Sequence, residues 1–237
     1  MSAYDEIAAW YDSWVSESMD EDPYFPPVAA LMGEVTGLRI CDLACGQGRV
    51  ARRLAEMEAR VVGVDLSAEL LKLARQHEER EPCGIEYVQD DARSLSALPD
   101  GAFDGVLCNL ALMDICELAP TLRGVVRVLR SGGWFIFSIL HPCYHTARCE
   151  EVTTPEGSAW SVAGYFNEGH WRSEKRTGPP GKVGAYHRML STYVNTLIDA
   201  GLQIERMIEV CATGSLAGSR PVWTEVPAIL VTRCRKA

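Results

Sequence analysis

The chain has 237 residues, of which 47% are hydrophobic and 23% charged, and its formal net charge is −9. This composition predicts one globular domain, and the longest apolar runs are too short to cross a membrane. The negative charge argues against nucleic acid as the main partner, because phosphate contacts require a basic face. Nine cysteines, an odd number, and the lack of a visible signal segment indicate reduced thiols in a cytoplasmic protein.

Residues 1–37 are expected to form a helical N-terminal cap over one end of a sheet. Tyr4, Trp10, Tyr11 and Trp14 recur partly at helical spacing. Two interpretations stay open for this aromatic stripe. It packs on the core, or it belongs to a lid over a bound cofactor.

Strands and helices alternate regularly over residues 38–140. Short apolar segments rich in Val, Ile and Phe are typical of strands that are buried on both faces. Strands are expected at residues 38–43, 60–64, 85–89, 103–108 and 134–140, and helices at residues 49–55, 68–79 and 118–129, the last ended by Gly132-Gly133. This order predicts an α/β fold with a doubly wound, mostly parallel sheet.

Residues 141–187 interrupt the alternation and are expected to form an inserted lid or substrate segment. They lack a sustained period, and a loop of this length in a compact domain is usually functional. The alternation of helices and strands resumes in residues 188–237, with a helix at 192–200 capped by Ser191 and strands at 203–210 and 226–231. The link between these strands is too short for a helical crossover, so they should pair antiparallel.

The most informative stretch is residues 40–48, Ile-Cys-Asp-Leu-Ala-Cys-Gly-Gln-Gly, a strand followed by a small-residue turn and a helix. Glycine lets the backbone approach a ligand closely and adopt positive φ, and the helix start offers free N–H groups. The run from Gly46 to Ala51 matches the pattern G-x-G-x-x-G/A. Asp65, at the end of the next strand, is placed to hold two ribose hydroxyls. This match alone fits a dinucleotide as well as another adenosine cofactor.

Two further acidic residues help to distinguish a dinucleotide from another adenosine cofactor. Asp42, expected at the mouth of the pocket, would repel a pyrophosphate and attract a sulfonium with an α-ammonium group. Asp91, with Ala92, follows the third strand, where a carboxylate can accept a hydrogen bond from the amino group of adenine. Together with Asp65, they favour S-adenosylmethionine.

These motifs, in this order and spacing, resemble those of the class I S-adenosylmethionine-dependent methyltransferases. The matching pieces are Asp42-Leu43-Ala44-Cys45-Gly46-Gln47-Gly48, Val61-Val62-Gly63-Val64-Asp65-Leu66-Ser67, Asp91-Ala92 and Phe103-Asp104-Gly105-Val106. The resemblance covers residues 40–140 and implies a Rossmann-like, seven-stranded sheet with an antiparallel last strand. Ala44 departs from the glycine of many members but is small enough for the turn.

The resemblance also implies which residues contact S-adenosylmethionine and its product, S-adenosylhomocysteine. Tyr11 looks like the N-terminal tyrosine that covers the cofactor in members of the quinone-biosynthesis type. The implied set is Tyr11, Asp42, Ala44, Gly46, Gly48, Asp65, Leu66, Asp91, Ala92, Asn109 and Leu110.

The acceptor is expected to be a small molecule bound by the insertion, with oxygen favoured over nitrogen or carbon as the methylated atom. Methyl transfer from a sulfonium mainly requires proximity and orientation, and a hydroxyl acceptor also benefits from a general base. His187 and His141 are the first candidates for this base because each adjoins a regular element, and Tyr186 is a lesser one. A structural role remains the other interpretation of each histidine.

No metal is expected, since the spacing of His141, Cys143, His145 and Cys149 fits no common zinc pattern. The sequence after the fourth strand, Asn109-Leu110-Ala111-Leu112, lacks the Asn/Asp-Pro-Pro-Tyr/Phe motif of many methylases that act on nucleobases or glutamine. Two other functions stay open: an NAD-dependent oxidoreductase on a similar sheet, and a cofactor-binding protein without catalysis. The sequence does not indicate an oligomeric state.

Overall fold

The computed structural model describes residues 2–18, 24–146, 148–155, 157–172, 178–213, 217–218 and 221–237. The strands are β1 (Arg39–Leu43), β2 (Arg60–Asp65), β3 (Glu86–Gln89), β4 (Phe103–Asn109), β5 (Leu129–Leu140), β6 (Glu150–Thr154), β7 (Gly157–Ser161), β8 (Gly169–Trp171), β9 (Ala185–His187), β10 (Leu202–Val210) and β11 (Ile229–Lys236). The helices are α1 (Ala8–Ser18), α2 (Phe25–Met32), α3 (Arg49–Glu56), α4 (Ala68–Arg80), α5 (Leu118–Val128), α6 (Pro179–Lys182) and α7 (Leu190–Asp199). Short 3-10 turns lie at Asp5–Ile7, Leu112–Asp114 and Pro221–Thr224.

The central sheet has seven strands in the order β10-β11-β5-β4-β1-β2-β3. The five strands from β5 to β3 pair in parallel, whereas β11 lies antiparallel to both β10 and β5. This confirms the predicted doubly wound sheet and its antiparallel last strand. The strand order reverses between β1 and β4, and the crevice outside the carboxyl ends at such a point is where open α/β sheets bind ligands.

Helices cover both faces of the sheet. Successive side chains of a buried strand point to opposite faces, so each face presents apolar side chains that a helix can cover. In β5, Phe135 and Phe137 join the core that includes α5 and α7. Trp134 and Ile136 join the opposite core with α2, α3 and α4. The resulting three layers hold the carboxyl ends of β1, β2 and β4 rigidly in place. In the part of the chain that the structure describes, no helix is both long and apolar enough to span a bilayer.

Some predicted boundaries are wrong. β5 begins at Leu129 and includes Gly132 and Gly133, which the sequence pattern placed at the end of the preceding helix. Helix α7 begins at Leu190 after Met189, so Ser191 lies inside the helix rather than at its N-cap. Strand β11 ends at Lys236, five residues beyond the predicted end at 231. In β11 the residues from Thr232 to Arg235 continue the pairing with β5, and in β5 Leu129 pairs with Phe103 of β4. Local sequence patterns do not reveal such pairing between distant residues.

The insertion contains two short antiparallel ribbons, β6 with β7 and β8 with β9. Sequence periodicity missed β6 and β7 because their residues are mostly polar or small and largely exposed, and it missed β8 and β9 because each has only three residues. The β8–β9 ribbon carries the insertion to the carboxyl edge of the central sheet.

Candidate functional site

A cavity of about 310 Å³ lies at the carboxyl ends of β1, β2 and β4. Its volume is at the lower end of the range for small-molecule sites. It is lined by ten of the residues predicted to contact a cofactor or an acceptor: Tyr11, Ala44, Gly46, Asp65, Leu66, Asp91, Ala92, Asn109, Leu110 and Tyr186. The structure therefore brings together residues from the N-terminal cap, the sheet and the insertion.

The turn between β1 and α3 uses its two glycines differently. Gly46, at φ +57, faces the cavity, and a Cβ there would meet only the Tyr11 ring at 3.6 Å and Leu70 at 4.0 Å. Gly48, at φ +81, lies outside the cavity lining, and a Cβ there would lie 2.2 Å from the Tyr87 hydroxyl. Both positions favour glycine through their positive φ. The prediction that both contact a ligand is not supported for Gly48, whose close neighbour is the protein itself.

Asp65 ends β2 and hydrogen-bonds to two backbone segments of the cavity wall. Its Oδ2 accepts the N–H of Gly46 at 2.8 Å, and its Oδ1 accepts the N–H of Ser67 at 2.8 Å. Burial raises the pKa of this carboxyl, and the hydrogen bonds from Ser67 and Gly46 oppose that shift. A carboxylate offers about four acceptor positions, so Asp65 retains capacity to accept ligand hydroxyls.

Asp42 does not lie at the cavity mouth, and this prediction is wrong. Its side chain is 1% exposed, and it accepts a hydrogen bond from the backbone of Ala51 at the start of α3. Burial, with a smaller contribution from the Asp65 charge, raises the pKa of Asp42 to about 8. The carboxyl is then mostly neutral at pH 7, so the argument from pyrophosphate repulsion loses its basis in this structure.

The edge of the cavity beside β3 is lined by Leu66, Asp91 and Ala92. The Leu66 side chain is 43% exposed there. Asp91 binds the Arg93 guanidinium at 2.6 Å, and this pairing lowers the pKa of Asp91. The Arg93 guanidinium also binds Glu117, at 2.8 Å. The Arg93 charge is therefore already compensated by two carboxylates.

The carboxyl end of β4 has a strained backbone held by neighbouring groups. Leu110 adopts φ +51, and its N–H donates to the Ser138 carbonyl at 3.0 Å and hydroxyl at 2.9 Å. The Ser138 hydroxyl in turn donates to the Asn109 side-chain oxygen at 2.7 Å. Ala44, on the adjacent strand end, also has a positive φ, +56. Such conformations in non-glycine residues cost energy and tend to cluster at ligand sites.

The N-terminal segment covers the cavity with Tyr4 and Tyr11, whose rings meet edge to face at 5.4 Å. The segment is fastened at two points. The Asp5 carboxylate accepts the Ser67 hydroxyl at 2.7 Å, and the Tyr4 hydroxyl donates to Asp114 at 2.9 Å. Of the two open interpretations, this geometry favours the lid, because the aromatic rings face a cavity.

Sequence reasoning missed Asp114, which lies at the end of the 3-10 turn Leu112–Asp114 and lines the cavity. Burial raises the pKa of its carboxyl to about 7, the Tyr4 hydrogen bond opposes this shift, and the Asp65 charge adds to it. One signal was available. Asp114 is the single charged residue of the apolar run from Leu110 to Ile115, directly after the fourth strand.

The insertion contributes a further part of the cavity wall through the β8–β9 ribbon. Tyr186 and His170 line the cavity, and their rings meet at 5.0 Å. The His170 Nε2 lies 3.2 Å from the Val183 carbonyl, which can only accept a hydrogen bond. Tyr186 was a predicted candidate for the base, and His170 had not been singled out.

The two histidines predicted first lie outside this cavity lining. His141 is buried, and its Nε2 lies 2.9 Å from the Glu209 carboxylate, while its Nδ1 accepts the N–H of Cys143. The Nε2 of His187 donates to the Tyr165 carbonyl at 2.7 Å. Both rings make contacts within the protein, so the geometry does not support either as the base. Among the described residues, no group of three or more His, Cys, Asp or Glu side chains is arranged to hold a metal.

Known proteins resemble this chain at two levels of coverage. A family model described as a methyltransferase domain matches residues 41–137. A ubiquinone biosynthesis O-methyltransferase of Albidiferax ferrireducens is 32% identical over 108 residues, which are 45% of this chain and 43% of that protein. The chain thus matches less than half the length of this curated relative. An uncharacterized protein of Haemophilus influenzae is 28% identical over 92% of this chain and 89% of its own length.

Among solved structures, an S-adenosylmethionine-dependent methyltransferase from Mesorhizobium loti is 33% identical to this chain. The two align with a TM-score of 0.79 over 92% of this chain and 99% of that one. A methyltransferase of the same class from Aquifex aeolicus aligns with a TM-score of 0.63 over 95% and 98% of the two chains at 16% identity, which shows the fold alone. The similarity to the Mesorhizobium loti protein therefore includes the N-terminal and C-terminal parts outside the family model.

Proposed function

Because this chain belongs to the S-adenosylmethionine-dependent methyltransferases, we propose that it binds S-adenosylmethionine in the cavity and methylates a small-molecule acceptor. The observation that carries the proposal is the cavity at the strand-order reversal, where Gly46 and Asp65 meet. This is the position at which doubly wound sheets bind nucleotide-like ligands.

The residues present fit this cofactor. The Gly46 backbone is open to the cavity, with no atom closer than 3.6 Å to the position of a Cβ. Asp65 has spare acceptor capacity for the two ribose hydroxyls. The exposed Leu66 side chain would be covered by the adenine ring, with Asp91 and Ala92 at the same edge. When bound, S-adenosylmethionine supplies a methyl group on a positively charged sulfur, which is an excellent leaving group.

The chain's own residues bind the two reactants, orient them and exclude water from the cavity. Asn109 and Leu110, fixed by Ser138, form the wall at the end of β4, where the methionine part is proposed to lie. Tyr4 and Tyr11 close the cavity from the N-terminal side. Holding both reactants in line is the main source of rate enhancement for such a displacement.

We propose that the acceptor atom is an oxygen of a small, uncharged aromatic compound, with nitrogen or carbon as the alternatives. Curated relatives named ubiquinone biosynthesis O-methyltransferases support an oxygen acceptor, although their similarity does not extend over the whole chain. Tyr4, Tyr11 and Tyr186 give the cavity aromatic walls. Arg93 is the one arginine or lysine in the described lining, and it is already paired with Asp91 and Glu117. This charge pattern gives little support for an anionic acceptor.

The net charge of −9 supports a partner other than nucleic acid. The odd number of cysteines, nine, supports a reducing compartment such as the cytoplasm. The comparisons do not favour the alternative of an NAD-dependent oxidoreductase. A cofactor-binding protein without catalysis is separated from the proposal by measuring methyl transfer.

Two measurements test the proposal. Isothermal titration calorimetry should show binding of S-adenosylhomocysteine and no binding of NAD. Incubation with S-adenosylmethionine labelled on its methyl group and a panel of neutral phenols, catechols and aromatic amines should transfer the label to at least one phenol or catechol. Binding of NAD without S-adenosylhomocysteine would refute the cofactor assignment, and cofactor binding without transfer to any acceptor would refute the catalytic one.

A further inference from the structure

Asp114 is placed between the two halves of the cavity. It follows β4, whose carboxyl end forms the wall proposed for the methionine part of the cofactor. Strand β9, which carries Tyr186, packs against the turn Leu112–Asp114, and Tyr186 and His170 of the insertion line the same cavity. A carboxylate at this position can contact a molecule that enters between the sheet and the insertion.

The turn that carries Asp114 is clamped from the insertion side by Arg188. This buried guanidinium donates to the carbonyls of Leu112 at 3.1 Å, Ile115 at 2.5 Å and Cys116 at 2.9 Å. These three hydrogen bonds bracket Asp114 in the chain. They fix its backbone without using its carboxylate, so the side chain keeps a defined position toward the cavity.

The carboxylate itself is oriented by the N-terminal segment. The Tyr4 hydroxyl donates to one oxygen at 2.9 Å and uses one of about four acceptor positions. The remaining positions can accept a second donor. Titratable and charged groups around Asp114 come from several elements: Tyr4, Asp65, Cys108, Arg188 and Tyr193, with His170 and Tyr186 in the lining of the same cavity.

We propose that Asp114 is the catalytic residue that takes the proton from the hydroxyl group of the acceptor. The proposal rests on the proposed function. As the acceptor's O–H proton passes to the Asp114 carboxylate, the acceptor oxygen forms a bond to the methyl carbon. The carbon–sulfur bond breaks, and its electron pair remains on sulfur, which becomes a neutral thioether. Charge and atoms balance without a further reactant, and the proton returns to solvent after product release.

The other cavity groups are less suited to this role. Asp65 accepts two backbone N–H groups, and Asp91 is paired with Arg93. His170 lies at the exposed rim, with its Nε2 directed to a carbonyl. Desolvation by the surrounding protein raises the pKa of Asp114 to about 7, which is close to the value at which a general base is most effective near neutral pH.

The first test is Asp114→Asn, which keeps the shape and removes the proton acceptor. With catechol as the probe, kcat should fall about 10²-fold to 10⁴-fold, the range for loss of a general base. The Kd for S-adenosylhomocysteine should stay within threefold. Asp104→Asn serves as the matched control because Asp104 lies at the opposite end of β4, bound to Arg130 and the Arg39 backbone, and should leave kcat unchanged. Asp114→Glu retains a carboxyl group and should recover part of the rate.

The second test is the pH profile of kcat/KM. The rate should rise with pH as Asp114 loses its proton, giving an acid limb near pH 7 in the wild type. Tyr4→Phe removes a hydrogen bond that lowers this pKa, so the limb should move to higher pH. Asp114→Asn should lose the limb, whereas Asp104→Asn should keep it.

The third test reads binding rather than turnover. We use 4-nitrophenol, whose absorbance distinguishes phenol from phenolate, bound together with S-adenosylhomocysteine. Beside the Asp114 carboxylate, a phenolate is disfavoured by like charge, so the absorbance transition should lie at higher pH in the wild type than in Asp114→Asn. Asp104→Asn should behave like the wild type.

The proposal is overturned if Asp114→Asn retains kcat within threefold, or if its S-adenosylhomocysteine affinity falls in parallel with kcat. The second result would place Asp114 against the cofactor. If Asp114→Asn does not fold, a pH limb that stays at the wild-type position in Tyr4→Phe overturns it equally. Failure of the wild type to bind S-adenosylhomocysteine or to methylate any probe refutes the proposed function itself, a separate outcome.

Discussion

Asp65 accepts the backbone N–H of Gly46 at 2.8 Å, so the carboxylate that ends β2 also closes the turn that follows β1. The same carboxylate accepts the N–H of Ser67 at the start of α4. One side chain thus joins two neighbouring strand ends and faces the cavity between them. Cofactor affinity and local rigidity should therefore respond together when Asp65 is changed.

We expect Asp65→Ala to weaken S-adenosylhomocysteine binding at least tenfold in calorimetry. The substitution removes the proposed ribose acceptors and leaves two backbone N–H groups without their partner, each worth about 1–3 kcal/mol when buried. Asp104→Asn, at the far end of β4, is the control for a general loss of stability. Equal affinity in Asp65→Ala and the wild type would contradict the role of Asp65 in ribose binding.

Replacing each of the two turn glycines by alanine should have different effects on stability and on cofactor affinity. Gly48→Ala should lower the free energy of unfolding by more than the roughly 1–2 kcal/mol of left-handed strain, because its Cβ would meet the Tyr87 hydroxyl at 2.2 Å. Gly46→Ala should lower the free energy of unfolding only by the left-handed strain, but it should reduce the affinity for S-adenosylhomocysteine. Urea denaturation and calorimetry measure both quantities.

Tyr87→Phe supplies the matched test of that contact. The Tyr87 hydroxyl is buried and has no hydrogen-bond partner among the described residues, so Tyr87→Phe alone should be close to neutral. Added to Gly48→Ala, it should restore part of the lost stability. No recovery in the double variant would mean that the Gly48 effect comes from backbone strain.

Asp42 should make stability depend on pH. Its folded-state pKa of about 8 lies above the unfolded value of about 4, so the folded state holds a proton that the unfolded state has lost. The free energy of unfolding should therefore decrease as pH rises from about 4 to about 8. Asp42→Asn should show a shallower decrease in urea denaturation across this range. A slope equal to that of the wild type would contradict the buried, protonated state of Asp42.

His187→Ala should lower stability more than turnover. The substitution removes the hydrogen bond from Nε2 to the Tyr165 carbonyl and leaves that carbonyl without its donor, at a cost of about 1–3 kcal/mol. Well below the melting temperature, methyl transfer should stay within a few-fold of the wild type. A loss of turnover of 10²-fold or more with unchanged melting would instead support the base role expected from sequence.

The central sheet is predictable from the sequence because strands buried on both faces are continuous apolar runs, as in β1 and β4. The ribbons of the insertion lack this signal, since β6 is largely exposed and β8 has three residues. Strand ends beyond the apolar runs, such as that of β11, depend on pairing with distant residues.

The cofactor side of the candidate site is predictable for a related reason. Gly46 and Asp65 lie at strand ends whose position follows from the topology alone. Asp42 shows where this prediction fails. Its side chain is buried and accepts a hydrogen bond from the backbone of Ala51 in α3, and the local sequence does not reveal that packing. For His141 and His187, the deciding partners are Glu209 and the Tyr165 carbonyl, and no sequence pattern links them.

The Arg188 clamp has a consequence for protein engineering. Asp114 lies within residues 41–137, the part that matches the methyltransferase domain model, whereas Arg188 lies outside it. A chimera that replaces residues 141–188 with the corresponding segment of a relative would change the acceptor wall and remove this arginine together. Such a graft needs a guanidinium supplied at the same place. Without one, the carbonyls of Leu112, Ile115 and Cys116 lose their donor, and the transplanted wall would face a loosened turn.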